Sequence, residues 1–229
     1  MLLLAAGLSL LSCKSNPTGS AERLPAPILL PNPADTSLVE VGIDAVDFGD
    51  YIRLDWQAGD KQTPSEYNIY RKKDGDEQSF TLLGAVGGNQ TSIIDSSGIA
   101  VGTRYYYYIT AVDDDGLESE PSDTLDYQLI AKADVLNNTL AVQPVFSWRV
   151  EAVPQFYVLK LVEAETDRKI WVAQIQSSFT TDEQVQFNKD GRATVDSLKK
   201  NFPYKWRVDI IGPSRNSGSE SAWKRFSLQ

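Results

Sequence analysis

The chain has no histidine and only one cysteine among its 229 residues. Without histidine it lacks the commonest general base, the Ser-His-Asp and Cys-His nucleophile pairs, and the imidazole ligands of most transition-metal sites. A single thiol forms no internal disulfide, so any core must hold by packing alone. Apolar runs long enough to cross a bilayer as a helix, about 18 residues or more, are also missing. Gly87-Gly88-Asn89 lacks the lysine and spacing of a phosphate-binding loop and reads as a turn. Asp113-Asp-Asp-Gly116-Leu-Glu118 gathers carboxylates, but its spacing departs from the Asp-x-Asp-x-Asp-Gly calcium pattern, so it too reads as a turn. Carboxylate pairs for glycoside hydrolysis need a cleft to work in. The expectation is therefore a protein that is not an enzyme and that needs neither cofactor nor metal.

What is present begins with a short apolar opening. Met1 to Ser12 are mostly apolar, Cys13 follows, and the chain turns polar at once. The run is too short for a transmembrane helix but fits the hydrophobic region of an export signal. Leu10-Leu11-Ser12-Cys13 resembles the lipobox of bacterial lipoproteins. That resemblance implies cleavage before Cys13, acylation of its thiol, and attachment to a membrane through lipid alone. Two or three acyl chains give stable anchoring where one does not. Lys14 in the next position points to the outer membrane. Residues 1–12 are expected to be the signal peptide. Residues 13–33, dotted with Pro17, Pro25, Pro27, Pro31 and Pro33, are expected to be the lipidated cysteine and an extended tether.

The net charge of −9 is unevenly spread. Residues 24–129 carry 6 Lys+Arg against 19 Asp+Glu, a net of −13, and residues 130–229 carry 14 against 11, a net of +3. An acidic half repels phosphates, which excludes nucleic acid as a partner. The charge serves solubility first; attraction between the opposite-sign halves is the second reading.

Beyond the tether the sequence alternates with period two, as half-buried strands require, and turn residues punctuate it. Tyr51-Ile-Arg-Leu-Asp-Trp56 puts Ile52, Leu54 and Trp56 on one face, and Thr103 to Val112 does the same with Tyr105, Tyr107, Ile109 and Ala111. The pattern then repeats: Phe146-Ser-Trp148 follows Trp56, Tyr157 follows Tyr67, and Tyr204-Lys-Trp206 follows Tyr105. Internal repetition is stronger evidence than any single strand. In these motifs, with Thr91-Ser-Ile-Ile-Asp95 and Gly116-Leu-Glu-Ser-Glu-Pro-Ser122, the chain resembles tandem fibronectin type III domains. The resemblance implies an all-β protein of two immunoglobulin-like sandwiches, spanning 34–129 and 134–229. It makes Tyr105 a tyrosine-corner residue. Trp56, Tyr105, Trp148, Tyr204 and Trp206 are the expected core rings, since a sandwich without disulfides needs large side chains to fill a core about 10 Å thick.

Exposed rings are the candidate recognition elements, because they stack on sugars and dominate protein interfaces. Alternation turns Tyr106 and Tyr108 outward beside Tyr70, and Trp171 falls on an expected edge strand next to Arg168 and Lys169. The functional expectation is a cell-envelope lipoprotein acting as a spacer and protein-interaction module. The alternative is a glycan-binding accessory lipoprotein of a polysaccharide uptake system.

Overall fold

The computed structural model describes residues 23–59, 63–77 and 79–229; residues 1–22, with the expected signal peptide and Cys13, lie outside them. The described chain is all-β. Its strands are β1 (Ile28–Leu29), β2 (Asp44–Ala45), β3 (Ile52–Gln57), β4 (Glu66–Lys73), β5 (Thr81–Gly87), β6 (Ser92–Asp95), β7 (Arg104–Val112), β8 (Leu125–Leu129), β9 (Asp134–Asn138), β10 (Val145–Arg149), β11 (Phe156–Glu163), β12 (Lys169–Gln176), β13 (Asp182–Gln186), β14 (Pro203–Ile211), β15 (Ser217–Glu220) and β16 (Lys224–Ser227).

Two separate cores form. Trp56 packs with Ile52, Leu54, Tyr67, Tyr105, Tyr107 and Ile109 in the first, and Trp148 with Phe146, Tyr157, Leu159, Tyr204, Trp206 and Val208 in the second. Each lies between a small sheet (β1, β2, β3 and β6; or β9, β10 and β13) and part of one long sheet. The same internal devices recur in both. Trp56 meets Tyr67 edge-on at 5.4 Å between ring centroids, and Trp148 meets Tyr157 at 5.2 Å. The Tyr105 hydroxyl accepts from the Ala100 amide at 3.0 Å, and the Tyr204 hydroxyl from the Lys199 amide at 3.0 Å. A serine hydroxyl then accepts from the amide of a middle residue of each tyrosine strand: Ser122 from Ile109 at 3.0 Å, Ser221 from Val208 at 2.9 Å.

The expected tether is corrected at its C-terminal part. Leu24 and Leu29 are buried in the first core, and β1 pairs with the end of β3. Prolines between them suit an edge strand, which leaves their missing donors facing away from the ladder. β1 and β2 lie along the same side of β3, Leu29 opposite Trp56 and Ala45 opposite Ile52, so they are two pieces of one edge strand. Residues 30–43 leave that edge between the pieces and return.

The long sheet has nine strands and runs in the order β12-β11-β14-β15-β8-β7-β4-β5, with β16 beside the start of β14. It crosses from one half of the chain to the other through a parallel pair, β8 with β15, sealed by the Gln128 amide to the Asn216 carbonyl at 2.9 Å and Ile130 to Gly218 at 3.1 Å.

Candidate interaction surface

Alternation along β7 buries Tyr105, Tyr107 and Ile109 and turns Tyr106, Tyr108 and the Thr110 hydroxyl to the opposite face. Register sets Tyr70 of β4 opposite Tyr108, and their rings stack at 4.7 Å with 17° between planes. Phe80 packs on Tyr108 at 4.8 Å, and Leu82, opposite Tyr70 on β5, is 56% exposed. Glu118 ties the base of this cluster, accepting from Asn68 Nδ2 and the Tyr70 hydroxyl at 2.8 Å each and from Thr110 Oγ1 at 2.5 Å. Partial burial works against the Glu118 charge, but the three donors outweigh it and hold its carboxyl below the ordinary range. Burial, then the neighbouring Glu118, pushes the Tyr70 hydroxyl up to about 12. The Tyr70 and Tyr108 ring faces engage one another, so the surface offers ring edges, hydroxyls and Leu82. That mixture suits a protein contact better than a flat platform for a sugar.

The corresponding face of the second half is closed. β14 turns Lys205, Arg207 and Asp209 away from its core, at the positions that Tyr106, Tyr108 and Thr110 hold in β7. Arg207, Asp209 and neighbouring Lys160 of β11 are nonetheless buried, because the 30–43 excursion of the first half lies over them. Its Glu40 accepts from Lys160 Nζ at 2.6 Å and pairs with Arg207. Lys160 also reaches Asp209 at 2.7 Å, and Arg207 reaches Asp209 at 2.9 Å and Glu220 at 2.8 Å. The Trp223 ring covers Arg207 at 5.0 Å. Behind the cluster Asp44 accepts from the buried Tyr127 hydroxyl at 2.9 Å, and burial lifts its carboxyl to about 6. Burial, reinforced by the neighbouring Asp209, lifts Glu220 to about 9 against the pull of Arg207.

Carboxylate oxygens of Glu40, Asp209 and Glu220 come within 4.8 Å of one another, a spacing that could suit a cation. Lys160 and Arg207 already sit among them as ion-pair partners, so the group is an ion cluster between the halves. A polar cleft of about 250 Å³ opens beside it, lined by Asp35, Glu40, Lys160 and Ser214 among others. Further bonds cross the junction: Arg104 donates to Ser214 Oγ and the Arg215 carbonyl at 2.9 Å each, and Ser219 Oγ to the Ala131 carbonyl at 3.2 Å.

The expected core rings Trp56, Tyr105, Trp148, Tyr204 and Trp206 are all buried. Tyr70, Tyr106 and Tyr108 are partly exposed, and the first and last of these are brought together. Trp171 is corrected: it lies on an edge strand as expected, but it is buried against Phe146 and Phe187 and donates from Nε1 to Asp190 at 2.8 Å. A bulge between β11 and β12, opposite Leu161 and Val162, turns both Ile170 and Trp171 inward. Sequence reasoning missed Glu118, Phe80 and Leu82; Glu118 follows a turn, and no spacing rule ties it to Tyr70.

No family model matches the chain, and no curated protein matches its sequence. Among solved structures, the crystal structure of chicken CNTN1 FN1-FN3 domains is similar over 90% of this chain and 69% of that one, at 12% identity and a TM-score of 0.38. The sandwich architecture stands on the strand pairing of the chain itself.

Proposed function

We propose that the protein is a non-catalytic cell-envelope lipoprotein, anchored through Cys13, whose joined sandwiches act as a spacer and present the Tyr70–Tyr108 face to a protein partner. One observation carries the reading: the same sheet face is open and aromatic in one half and spent on a buried ion cluster in the other. The cluster and the shared sheet fix one half against the other, as a spacer requires. The stacked rings with Leu82 supply a compact surface of the composition found at interface centres. Fold by itself establishes no function. The test is capture from solubilised envelope with the full chain and with a Tyr70→Ser/Tyr108→Ser variant, together with the intact mass of the amino terminus. The expected result is a protein retained by the parent chain and lost by the double variant, which still melts cooperatively with only a modestly lowered midpoint, with acyl mass on Cys13. Equal capture by both would remove the face; an unmodified Cys13 would remove the anchor. Binding of a polysaccharide panel, read by fluorescence and lost in the double variant, would transfer the face to the glycan reading.

A further inference from the structure

Sheet edges are liabilities that folds blunt with short strands, charges or bulges. Most free edges of this protein follow that rule. β1 and β2 are two residues each; β13 carries Asp182 and Glu183, β9 carries Asp134, and β16 carries Lys224 and Arg225. The two ends of the nine-stranded sheet do not follow it. β12 from Ile170 to Gln176 and β5 from Thr81 to Gly87 contain neither charge nor proline. Each has a bulge near one end, opposite Leu161 and Val162 for β12 and opposite Ile69 and Tyr70 for β5, which leaves 171–176 and 84–87 regular.

The outer ladders of both strands are open. The Ile170 carbonyl faces away from β11, where it accepts from the Thr194 amide at 2.8 Å, so alternation sends the N–H and C=O of Val172, Gln174 and Gln176 to the same free side. At the far end the Gly87 carbonyl points outward to the Gln90 amide at 2.8 Å, and the groups of Ala85 share that side. Beside β12 the gap between the two sheets forms a groove of about 660 Å³ lined by Ala173, Ile175 and Val185 with Gln174 and Lys189.

We infer that β12 of one copy receives β5 of the next, so that the protein associates head to tail and the long sheet continues from copy to copy. Charge selects this pairing over like with like. The half that carries β5 has a net charge of −13 and the half that carries β12 has +3. Exposed Lys169, Lys189 and Arg192 lie beside β12 and outnumber exposed Asp182 and Asp190 there, while exposed Asp74, Asp76 and Glu77 in the turn that leads into β5 outnumber exposed Lys73. Pairing β5 with β5 would set acid against acid. Because the two surfaces are different, the contact is heterologous and repeats until an edge is blocked or the ring closes.

The test uses the only cysteine as an advantage. In a full chain with Cys13→Ser, Val172→Cys and Ala85→Cys are made singly and together and treated with a short bis-maleimide. A one-to-one mixture of the single variants is expected to give a covalent dimer that neither gives alone, and the double variant a ladder of multimers. Adding Gln174→Pro to β12 should abolish both products while the melting transition persists. Cross-linking of the Val172→Cys variant with itself at the level of the mixture would overturn the head-to-tail arrangement in favour of a symmetric pair. No product in the mixture at any protein concentration, with both variants folded, would overturn the association itself.

Discussion

β7 and β14 are the same strand used twice, and their outward faces could hardly differ more. Inward, Tyr105, Tyr107 and Ile109 correspond to Tyr204, Trp206 and Val208, and both tyrosines make the same corner bond. Outward, Tyr106, Tyr108 and Thr110 correspond to Lys205, Arg207 and Asp209. The inward set is dictated by the need to fill a sandwich. The outward set records what each face meets: solvent and an open surface in the first half, the Glu40 excursion and Trp223 in the second. Repeats thus share the part of their sequence that folds and diverge in the part that does something else.

The largest effects should fall where the halves agree. Trp56→Ala and Trp148→Ala each remove a fully enclosed ring and are expected to cost about 3–5 kcal/mol, as read from denaturant midpoints. A much smaller loss at one site would break the equivalence of the two cores. Next comes the outward contrast. Arg207→Ala removes one of the two buried cations of the cluster, leaving Glu220 without a partner and Glu40 and Asp209 with Lys160 alone, and should cost about 3–5 kcal/mol. Tyr108→Ala, at the matching position, should cost only about 1 kcal/mol, the scale of one partly exposed stacked pair. Equal losses would mean that the first face is structural rather than displayed.

The seam between the halves gives the third measurement. A Cβ added at Gly218 would lie 2.7 Å from the Ile210 carbonyl oxygen of β14 and 3.1 Å from the Tyr127 hydroxyl of β8, so Gly218→Ala must shift β15 against β14 and displace the Tyr127 side chain at the seam. A loss of about 1–3 kcal/mol is expected, with faster amide exchange concentrated in β15 and the parts of β14 and β8 beside it. The last measurement is one of pH. Folding raises Glu220 from 4.5 to about 9 and Asp44 from 3.8 to about 6, so the folded protein binds more protons than the unfolded chain across those windows. Stability therefore falls as pH rises, between 3.8 and 6 for Asp44 and between 4.5 and 9 for Glu220. Glu220→Gln should flatten the upper part of the profile. A parent chain whose midpoint rises across that upper range would show the cluster to be fully ionised.

Much of the frame could be read before any coordinates. Ring spacing located both tryptophan strands, Tyr204 as the repeat of Tyr105, and the outward tyrosines, because inward alternation in a thin core leaves few choices, and the family resemblance marked Tyr105 as a corner residue. The junction could not be read. Lys160, Arg207 and Asp209 stand at outward positions where solvated charge is the ordinary expectation, and only the distant Glu40 reveals their burial. Residues 30–33 of the excursion fell in the expected proline-dotted tether, and nothing in the pattern of 34–43 marks Glu40 as reaching the second half. The parallel β8–β15 pair involves just two residues from each strand, too few to leave a pattern. Trp171 failed for another reason: its basic neighbours and edge position suggested exposure, but it alternates inward with Ala173 and Ile175. The divided charge did hint at the outcome, since an acidic Glu40 and basic Lys160 and Arg207 come from opposite halves.

The excursion is spliced into the outermost strand of the first repeat, yet its acid completes the second. Neither unit can therefore be treated as an interchangeable bead. Excising the first would uncover Lys160 and Arg207 to water and take away their shared Glu40, and slipping an extra unit between them would carry Glu40 out of reach. A gene built this way can lengthen its product by adding modules at the ends, but not in the middle.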